Sequence, residues 1–402
     1  MTDCLVCDSK NVKKIIDLGM HSYADTFISK SQFKDSEPIF PLVCQLCQCC
    51  GHVQLAYQTE ADERYNLYDY SYTSSNSKFS RDHWDNFEKQ VLDNIAPDSR
   101  IKVLEIGSND GYLAERFKIS GCEVLGVDPS RHMASLAAKR GIQTEVCLFT
   151  EKNSNKILKK YDKADLVVAN NVFNHSNDPL DFSRGVENVL KEDGCFIFEV
   201  PYWLSTIETQ RFDQIYHEHV SYFTVKSIQK LLSRVGLKIS FVEVVNYHGG
   251  SLRVHAIKEG SSAPVYKRSI DKLIKKEEEF GLFEANTYDV YMKDLLNKRD
   301  GFLRKLLEIK QSGASIVGVG AAAKANTFLN FYRIDKSLLD CITDVSEFKK
   351  GKYTPLTRIP ITGDEVFGEY QEVYALILSW NISDILKNKL CEINNKIRFL
   401  HP

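Results

Sequence analysis

The run Val-Leu-Glu-Ile-Gly-Ser-Asn-Asp-Gly at 103–111 restricts the fold of this chain more than any other feature. The apolar residues around Glu105 have the pattern of a short buried strand. Gly107 then allows a tight turn, and Gly111 allows the next helix to pack closely. A strand that passes through a glycine turn into a helix is typical of a parallel, doubly wound sheet. The sequence therefore predicts an open α/β sheet around this turn.

Similar apolar runs alternate with helical stretches up to about residue 260, and the alternation resumes after residue 311. Residues 265–311 have the spacing of long helices that join two lobes, with Gly281 and Gly301 as breakers. We expect three domains, at residues 1–66, 67–262 and 263–402. The predicted strands are Ile101–Ile106, Cys122–Val127, Ala164–Ala169, Cys195–Val200, Ile239–Val245, Leu252–Ile257, Ser315–Val319, Cys341–Thr343 and Tyr374–Leu378.

Composition limits the partners of the chain. Lys plus Arg (52) nearly balances Asp plus Glu (54), so no global charge attracts nucleic acid or an anionic membrane. The longest apolar runs fall far short of the roughly 20 residues that a membrane span needs. The start, Met-Thr-Asp-Cys-Leu, lacks the basic and apolar regions of a signal peptide. We therefore expect a soluble cytoplasmic protein without nucleic-acid or membrane partners, and a monomer because three domains already surround one cleft.

Six of the eleven cysteines lie within the first 50 residues, which in a long chain is typical of metal ligation rather than of disulfides. Cys4 and Cys7 form one Cys-x-x-Cys pair. The second pair is either Cys44 with Cys47 or Cys47 with Cys50, and the glycine after Cys50 helps such a turn to close. We favour Cys4, Cys7, Cys47 and Cys50 as ligands of a structural Zn²⁺, because four thiolates leave no position for a catalytic water. Free core thiols are the alternative.

Polar residues within the glycine turn indicate the kind of ligand that it binds. A dinucleotide fingerprint has a second glycine in the turn, so that the helix N-terminus faces a pyrophosphate. Polar and partly anionic side chains stand here instead, and they favour a cofactor with a cationic amino-acid end, such as S-adenosylmethionine (SAM). Asp128 ends the next predicted strand, where a carboxylate accepts the hydroxyls of a ribose; an ordinary turn with a surface aspartate is the alternative. The predicted cofactor-binding residues are Glu105, Gly107, Ser108, Asn109, Asp110, Gly111, Asp128, Asn170 and Asn171.

The segment Tyr216-His217-Glu218-His219 concentrates titratable groups directly before Tyr222. A metal site is one interpretation, although the i, i+2 spacing of the histidines suits a strand rather than the helical pair of zinc hydrolases. A general base is another, because a neutral histidine abstracts a proton and a nearby carboxylate fixes its tautomer. Two hydrogen-bonded structural histidines are the third.

Several ordered motifs together resemble the sugar-nucleotide C-methyltransferases of deoxysugar biosynthesis. They span nearly the whole chain, and the Tyr-His-Glu-His block is the most specific of them. In the glycine-alanine turn near the C-terminus, Ala322 stands where the family usually has proline. The motifs are Cys4-x-x-Cys7, the Pro-Leu to Gln-Leu run at 41–55, Tyr70-x-Tyr72-x-Ser-Ser75, Glu199-x-Pro-Tyr202, Tyr216–Phe223, Gly249-Gly-Ser-x-Arg253, Gly318–Thr327 and Ser379-Trp-Asn381.

The resemblance implies an N-terminal zinc-binding domain, a central Rossmann-like SAM domain and a C-terminal Rossmann-like domain for a TDP-linked 4-keto-6-deoxyhexose. Methylation then occurs at carbon 3 of the sugar, beside the ketone, through an enolate. By match to the family, His219 is the base, and Tyr216 and Glu218 orient it or the substrate. Tyr72 and His175 close the pocket or stabilise the developing oxyanion.

The C-terminal strand and turn at Ser315–Gly320, followed by Lys324, resemble a phosphate or nucleotide cradle; a glycine-rich turn without a ligand is the alternative. Two other functions stay open: O- or N-methylation on the same scaffold, and a non-catalytic zinc- or SAM-binding scaffold. The predicted substrate-binding residues are Tyr202, Tyr222, Arg253, Lys324, Asn326 and Thr327.

Overall fold

The computed structural model describes residues 2–61, 64, 73–75, 77–95 and 100–401, and within them the chain forms three sheets. The strands are β1 (Val12–His21), β2 (Phe40–Cys47), β3 (Val53–Leu55), β4 (Lys102–Ile106), β5 (Glu123–Asp128), β6 (Thr144–Val146), β7 (Ala164–Val168), β8 (Leu190–Pro201), β9 (Ser221–Tyr222), β10 (Leu237–Val245), β11 (Ser251–Lys258), β12 (Ser315–Val319), β13 (Cys341–Thr343), β14 (Ile361–Thr362), β15 (Val373–Ile377) and β16 (Arg398–Leu400).

The helices cover the sheets and join them. The helices are α1 (Lys78–Ile95), α2 (Tyr112–Ile119), α3 (Arg131–Lys139), α4 (Glu151–Leu158), α5 (Pro179–Val189), α6 (Trp203–Glu208), α7 (Val225–Ser233), α8 (Lys267–Glu279), α9 (Ala285–Gln311), α10 (Ala323–Tyr332) and α11 (Ser383–Ile393). Among the described residues, none of these helices is both long and apolar enough to cross a bilayer.

The central sheet has the order β10-β11-β8-β7-β4-β5-β6. Strands β4 to β8 are parallel, as the βα alternation predicts, whereas β11 runs antiparallel to both β8 and β10. The short turn at 246–250 explains this reversal, because two strands joined by a tight turn pair antiparallel. The strand order changes direction between β4 and β7, so the carboxyl ends of these two strands form the crevice where such sheets bind ligands.

The third sheet is parallel, with the order β14-β13-β12-β15-β16, and its strand order changes direction between β12 and β15. The predicted helical connection to it is confirmed as α8 and α9. Gly281, with φ +74°, separates these two helices, whereas Gly301 lies inside α9 and does not interrupt it.

The N-terminal sheet is antiparallel, with the order β1-β2-β3-β9. Its last strand comes from a distant part of the sequence, since Tyr222 pairs with Val53. The segment that carries His219 is therefore attached directly to the cysteine-rich region.

Candidate active site

Four cysteine thiols meet at the N-terminal sheet. The Sγ atoms of Cys4, Cys7, Cys47 and Cys50 all lie within 4.8 Å of one another, and the Cys4–Cys50 and Cys7–Cys47 pairs are each 3.6 Å apart. A tetrahedral zinc with Zn–S bonds of about 2.3 Å separates its sulfurs by about 3.8 Å, so the donor set fits Zn²⁺. Cys44 is buried within β2, outside this group. The second pair of thiols is therefore Cys47 and Cys50.

The turn after β4 is shaped by two glycines in the left-handed region. Gly107 has φ +71° and Gly111 has φ +76°. A Cβ atom on Gly107 would lie 2.9 Å from the side chain of Val172, which follows β7. The Gly107 amide donates to the Val127 carbonyl at 2.7 Å, so the turn is fixed to β5. This backbone leaves no space for a side chain at the crevice between β4 and β7.

Asp128 at the end of β5 supports the same turn. Its two carboxylate oxygens accept the backbone amides of Asn109 at 2.9 Å and Ser130 at 2.8 Å. Burial raises the pKa of Asp128, and these two amides oppose that rise. Each oxygen keeps a second lone pair for a further donor, and the contact of Asp128 with a ribose stays a prediction.

Several buried polar atoms at this crevice have no hydrogen-bond partner among the described residues. They are Glu105 Oε2, Ser108 Oγ, Asn170 Nδ2 and Asn171 Oδ1. Burial, and after it the neighbouring Asp110, raises the pKa of Glu105 well above its ordinary value. Buried polar groups are normally paired, so such a cluster indicates a polar ligand. The oxygen atoms of this cluster accept and so suit the ammonium group of SAM, whereas Asn170 Nδ2 donates and suits its carboxylate.

Asp110 faces another part of the chain. Its carboxylate accepts the Ser74 hydroxyl at 2.6 Å and also the Ser75 hydroxyl, and Arg140 lies 3.5 Å away. Asn109 Oδ1 accepts the Ser74 amide at 2.9 Å. The segment that follows Tyr72 is therefore fastened to the predicted cofactor turn. Tyr72 itself lies outside the described residues, so its catalytic role stays a prediction.

His219 lies in a short hydrogen-bond chain. Its Nδ1 is 2.8 Å from the Gln214 carbonyl, which only accepts, so Nδ1 carries the proton. Nε2 then has the free lone pair, and the Tyr216 hydroxyl donates to it at 2.7 Å. Burial lowers the pKa of His219 to about 3, although the Gln214 carbonyl opposes this. The ring is therefore neutral at physiological pH, and the lone pair that could take a proton is on Nε2.

His175, Glu218 and His217 are the other titratable residues near His219 in space or in sequence. His175, in the short turn after β7, has its ring centroid 5.2 Å from that of His219. Glu218 is buried, its Oε2 has no partner among the described residues, and burial raises its pKa to about 7. His217 points elsewhere, with Nε2 3.4 Å from the Pro41 carbonyl. The two histidines of the block thus have different environments, and the described residues contain one metal-type cluster, the four thiols.

Four of the predicted substrate-binding side chains bind other parts of the protein. The Tyr202 hydroxyl donates to Glu277 at 3.0 Å, and Arg253 pairs with Glu199 at 2.7 Å. Asn326 donates to the Ala24 carbonyl at 2.5 Å, and Thr327 donates to the Ile215 carbonyl at 3.1 Å. These contacts favour a structural role for Tyr202, Arg253 and Thr327, whereas Asn326 keeps a buried Oδ1 without a partner among the described residues. Contact of all four with substrate stays a prediction.

Lys324 and Tyr222 are the other two predicted substrate-binding residues. Lys324 Nζ is 3.5 Å from Asn381 Oδ1 and 4.6 Å from the ring centre of Trp380, both on the turn after β15. The positive charge of Lys324 lowers the pKa of His219, after the larger effect of burial. The Tyr222 ring lies 6.4 Å from that of His219. Lys324, from the predicted nucleotide cradle, is thus linked to the segment before the predicted base through Trp380, which donates to Asp213.

Sequence reasoning missed two pairs beside this site. The Trp380 indole donates to the buried carboxylate of Asp213 at 2.5 Å, and a signal existed, because Trp380 belongs to the Ser-Trp-Asn motif. His83 Nε2 on α1 lies 2.7 Å from Glu199 Oε2, and the His83 ring stacks on that of Tyr247 with the ring centroids 3.8 Å apart. No local pattern could have joined His83 to Glu199, which lies on β8, 116 residues later.

Comparison with known protein families matches three consecutive parts of the chain. A "Putative zinc binding domain" matches residues 4–65, a "Methyltransferase domain" matches residues 82–240 and a "C-methyltransferase C-terminal domain" matches residues 246–402. These three regions contain, in the same order, the four thiols, the turn after β4 and the third sheet.

The chain is also similar to individual proteins. The chain is 28% identical over 401 residues to the C-methyltransferase NovU of Streptomyces niveus. This alignment covers 100% of this chain and 95% of that protein. Among solved structures, magnesium protoporphyrin IX methyltransferase from Synechocystis PCC 6803 matches 44% of this chain and 79% of its own, with 15% identity and a TM-score of 0.34. The PH0226 protein from Pyrococcus horikoshii matches 46% of this chain and 95% of its own, with 18% identity and a TM-score of 0.37.

Proposed function

Because the chain is a SAM-dependent C-methyltransferase, we propose that it methylates carbon 3 of a TDP-linked 4-keto-6-deoxyhexose. The observation that carries this proposal is the chain Tyr216–His219–Gln214, which holds a neutral imidazole with its lone pair on Nε2. A carbon acceptor needs such a base, because a C–H bond is not nucleophilic until its proton is removed. A hydroxyl or amine acceptor already has a lone pair.

The third sheet suits the nucleotide of the acceptor. Open parallel sheets bind ligands where the strand order changes direction, which here is the crevice between β12 and β15. Lys324 lies in the first turn of α10 at this crevice, where a lysine and free backbone amides favour a diphosphate. Lys324 contacts Trp380, which donates to Asp213 beside Gln214, the partner of His219, so we expect a sugar attached to that diphosphate to extend toward the base.

The separation of Tyr216 and His219 matches an α-ketone unit. The Tyr216 hydroxyl and His219 Nε2 are 2.7 Å apart, and a carbonyl oxygen lies about 2.4 Å from the adjacent α-carbon. Nε2 therefore faces the C3 proton while the hydroxyl, displaced from Nε2 by the sugar, donates to the ketone oxygen. Proton transfer to Nε2 leaves an enolate, whose negative oxygen the Tyr216 hydroxyl stabilises.

The turn after β4 holds the methyl donor in this proposal. Glu105, Asn170 and Asn171 bind the amino-acid end and Asp128 binds the ribose. When bound, SAM supplies an electrophilic methyl group, so the enolate carbon forms the new C–C bond and sulfur keeps the electrons of the broken bond. His219 afterwards releases its proton to solvent, which returns it to the neutral form.

The decisive experiment incubates the protein with SAM and a panel of nucleotide-linked 4-ketosugars, followed by mass spectrometry and by deuterium exchange at C3. We expect a gain of one methyl group on carbon and base-dependent exchange of the C3 proton. His219→Asn should lower turnover about 100- to 10,000-fold, the usual contribution of a general base, while SAM still binds. His217→Asn is the matched control and should retain turnover, because His217 faces the Pro41 carbonyl. Methylation on oxygen or nitrogen without C3 exchange contradicts the proposal.

The cytoplasm is the proposed compartment, because a site of four thiolates requires reduced cysteines and the described cysteines are unpaired. We also propose that the protein acts as a monomer, since the crevices of both parallel sheets and His219 come from one chain.

A further inference from the structure

The segment Asp213–Ile215, directly before Tyr216, is hydrogen-bonded at its first and last residues by side chains that flank the third sheet. The buried carboxylate of Asp213 accepts the indole N–H of Trp380 at 2.5 Å. Two residues later, the Ile215 carbonyl accepts the hydroxyl of the buried Thr327 at 3.1 Å. Trp380 follows β15 and Thr327 lies on α10, so both donors come from the unit that begins with β12.

Gln214 lies between these two anchored residues, and its carbonyl accepts the Nδ1 proton of His219 at 2.8 Å. The position of this carbonyl decides which ring nitrogen carries the proton, because a neutral histidine has one N–H and one lone pair. A displaced Gln214 carbonyl would allow the other tautomer, in which Nε2 is protonated and cannot accept a proton.

Trp380 is itself fixed in place. The Arg211 guanidinium lies 4.0 Å from its ring centre and Lys324 Nζ lies 4.6 Å from it. Gly249 permits the close approach of the indole, since a Cβ atom there would lie 2.7 Å from it. Cation–π contacts of this kind attract the cation to the ring face and so hold the indole in place. The indole therefore connects the charged acceptor crevice with Asp213.

We propose that Trp380 and Thr327 are positioning residues for the methyl transfer, which hold the Asp213–Ile215 segment so that Gln214 keeps His219 protonated on Nδ1. The role of His219 in this inference rests on the proposed function. Neither donor touches the reacting atoms; each acts through Gln214. The C-terminal unit thus sets the state of the base as well as facing the acceptor.

The test is ¹⁵N NMR of protein labelled at histidine, with the His219 signals assigned by their loss in His219→Asn. We expect the Nδ1–H tautomer in the wild-type protein and a measurable fraction of the Nε2–H tautomer in Trp380→Phe and Thr327→Val, with a larger fraction in the double variant. Because each change removes one hydrogen bond of about 1 kcal/mol, kcat should fall about fivefold in each single variant, without a change in SAM affinity.

Matched controls separate positioning from general destabilisation. Trp203→Phe removes an indole donor to the Tyr288 hydroxyl at 2.8 Å, and Thr206→Val removes a hydroxyl donor to the Tyr202 carbonyl at 3.1 Å. Both should lower thermal stability yet leave the His219 tautomer unchanged. An unchanged tautomer in the double variant overturns the inference. That result needs no acceptor sugar, so it is distinguishable from failure of the proposed function, which is absence of methylation across the ketosugar panel.

Discussion

The turn after β4 and the turn after β12 have the same backbone arrangement but different side chains. Gly107 donates to the carbonyl of Val127 at 2.7 Å, and Gly320 donates to that of Thr343 at 2.7 Å. Each turn is also held by an aspartate at the end of the next strand. Asp128 accepts two backbone amides at 2.9 and 2.8 Å, and Asp344 accepts two at 2.8 Å.

The side chains of the two turns differ in what they offer a ligand. Serine, asparagine and aspartate occupy positions 108–110, whereas alanine occupies positions 321–323. Two residues before the turn glycine, β4 carries the buried Glu105 and β12 carries Gly318, where a Cβ atom would lie 2.9 Å from Ile342. The first turn therefore offers side-chain acceptors, which suit a cation. The second offers backbone amides and Lys324, which suit a phosphate.

The largest expected difference between the turns comes from replacing their glycines. Gly107→Ala should raise the dissociation constant of SAM about 100-fold, because its φ is +71° and its Cβ would collide with Val172. Gly320→Ala is the matched change, with φ +92° and a collision with Ser379, and should raise the KM of the acceptor instead. Calorimetry with SAM and steady-state kinetics measure both. Equal loss of SAM affinity in the two variants would show that the turns do not bind different ligands.

The two aspartates give a smaller difference. An asparagine presents one acceptor and one donor where both amides require acceptors, so either change loosens its turn. Asp128→Asn should weaken SAM binding about thirtyfold, corresponding to ~2 kcal/mol for hydrogen bonds to a charged group. Asp344→Asn should leave SAM affinity unchanged and lower thermal stability to a similar extent. The comparison fails if calorimetry finds that Asp344→Asn weakens SAM binding to the same degree.

The sequence predicted the buried strands and the four thiols well, because both depend on local patterns. Apolar runs mark strands such as β4 and β12, and Gly51, with φ +72°, allows the turn after Cys50 to close. The antiparallel pairing of Tyr222 with Val53 was not predictable, since it joins residues that are far apart in the chain.

The limits of sequence reasoning are clearest at the second turn. Asn326 and Thr327 were predicted to bind substrate because polar residues follow a glycine turn. In the structure they donate to the Ala24 and Ile215 carbonyls, which lie 302 and 112 residues away. A sequence identifies a polar side chain, but only the fold decides whether a ligand or a distant backbone carbonyl is its partner. Within the described part of the chain, unpartnered atoms remain at both turns: several near Glu105 at the first, and Asn326 Oδ1 at the second.

The smallest expected effect tests whether Glu105 is retained for binding rather than for stability. Burial, and after it Asp110, raises the pKa of Glu105 well above that of an unfolded glutamate. The native state therefore holds a proton that the unfolded state loses, so the free energy of unfolding falls as pH rises above the ordinary glutamate pKa of about 4.3. Glu105→Gln removes this loss. Its thermal midpoint should exceed that of the wild type by about 2 °C at pH 7 and equal it near pH 4.

Glu105→Gln should at the same time weaken SAM binding about tenfold, because an amide attracts the ammonium group less than a carboxylate does. Gly318, at the equivalent position of β12, has no side chain to titrate. The third sheet therefore has no residue at this position that lowers stability at pH 7 while it strengthens the binding of a ligand. Thermal unfolding from pH 4 to 8, with and without SAM, measures both quantities. A variant that loses stability at pH 7 while keeping full SAM affinity would mean that Glu105 supports the fold and that the first turn does not select its ligand by charge.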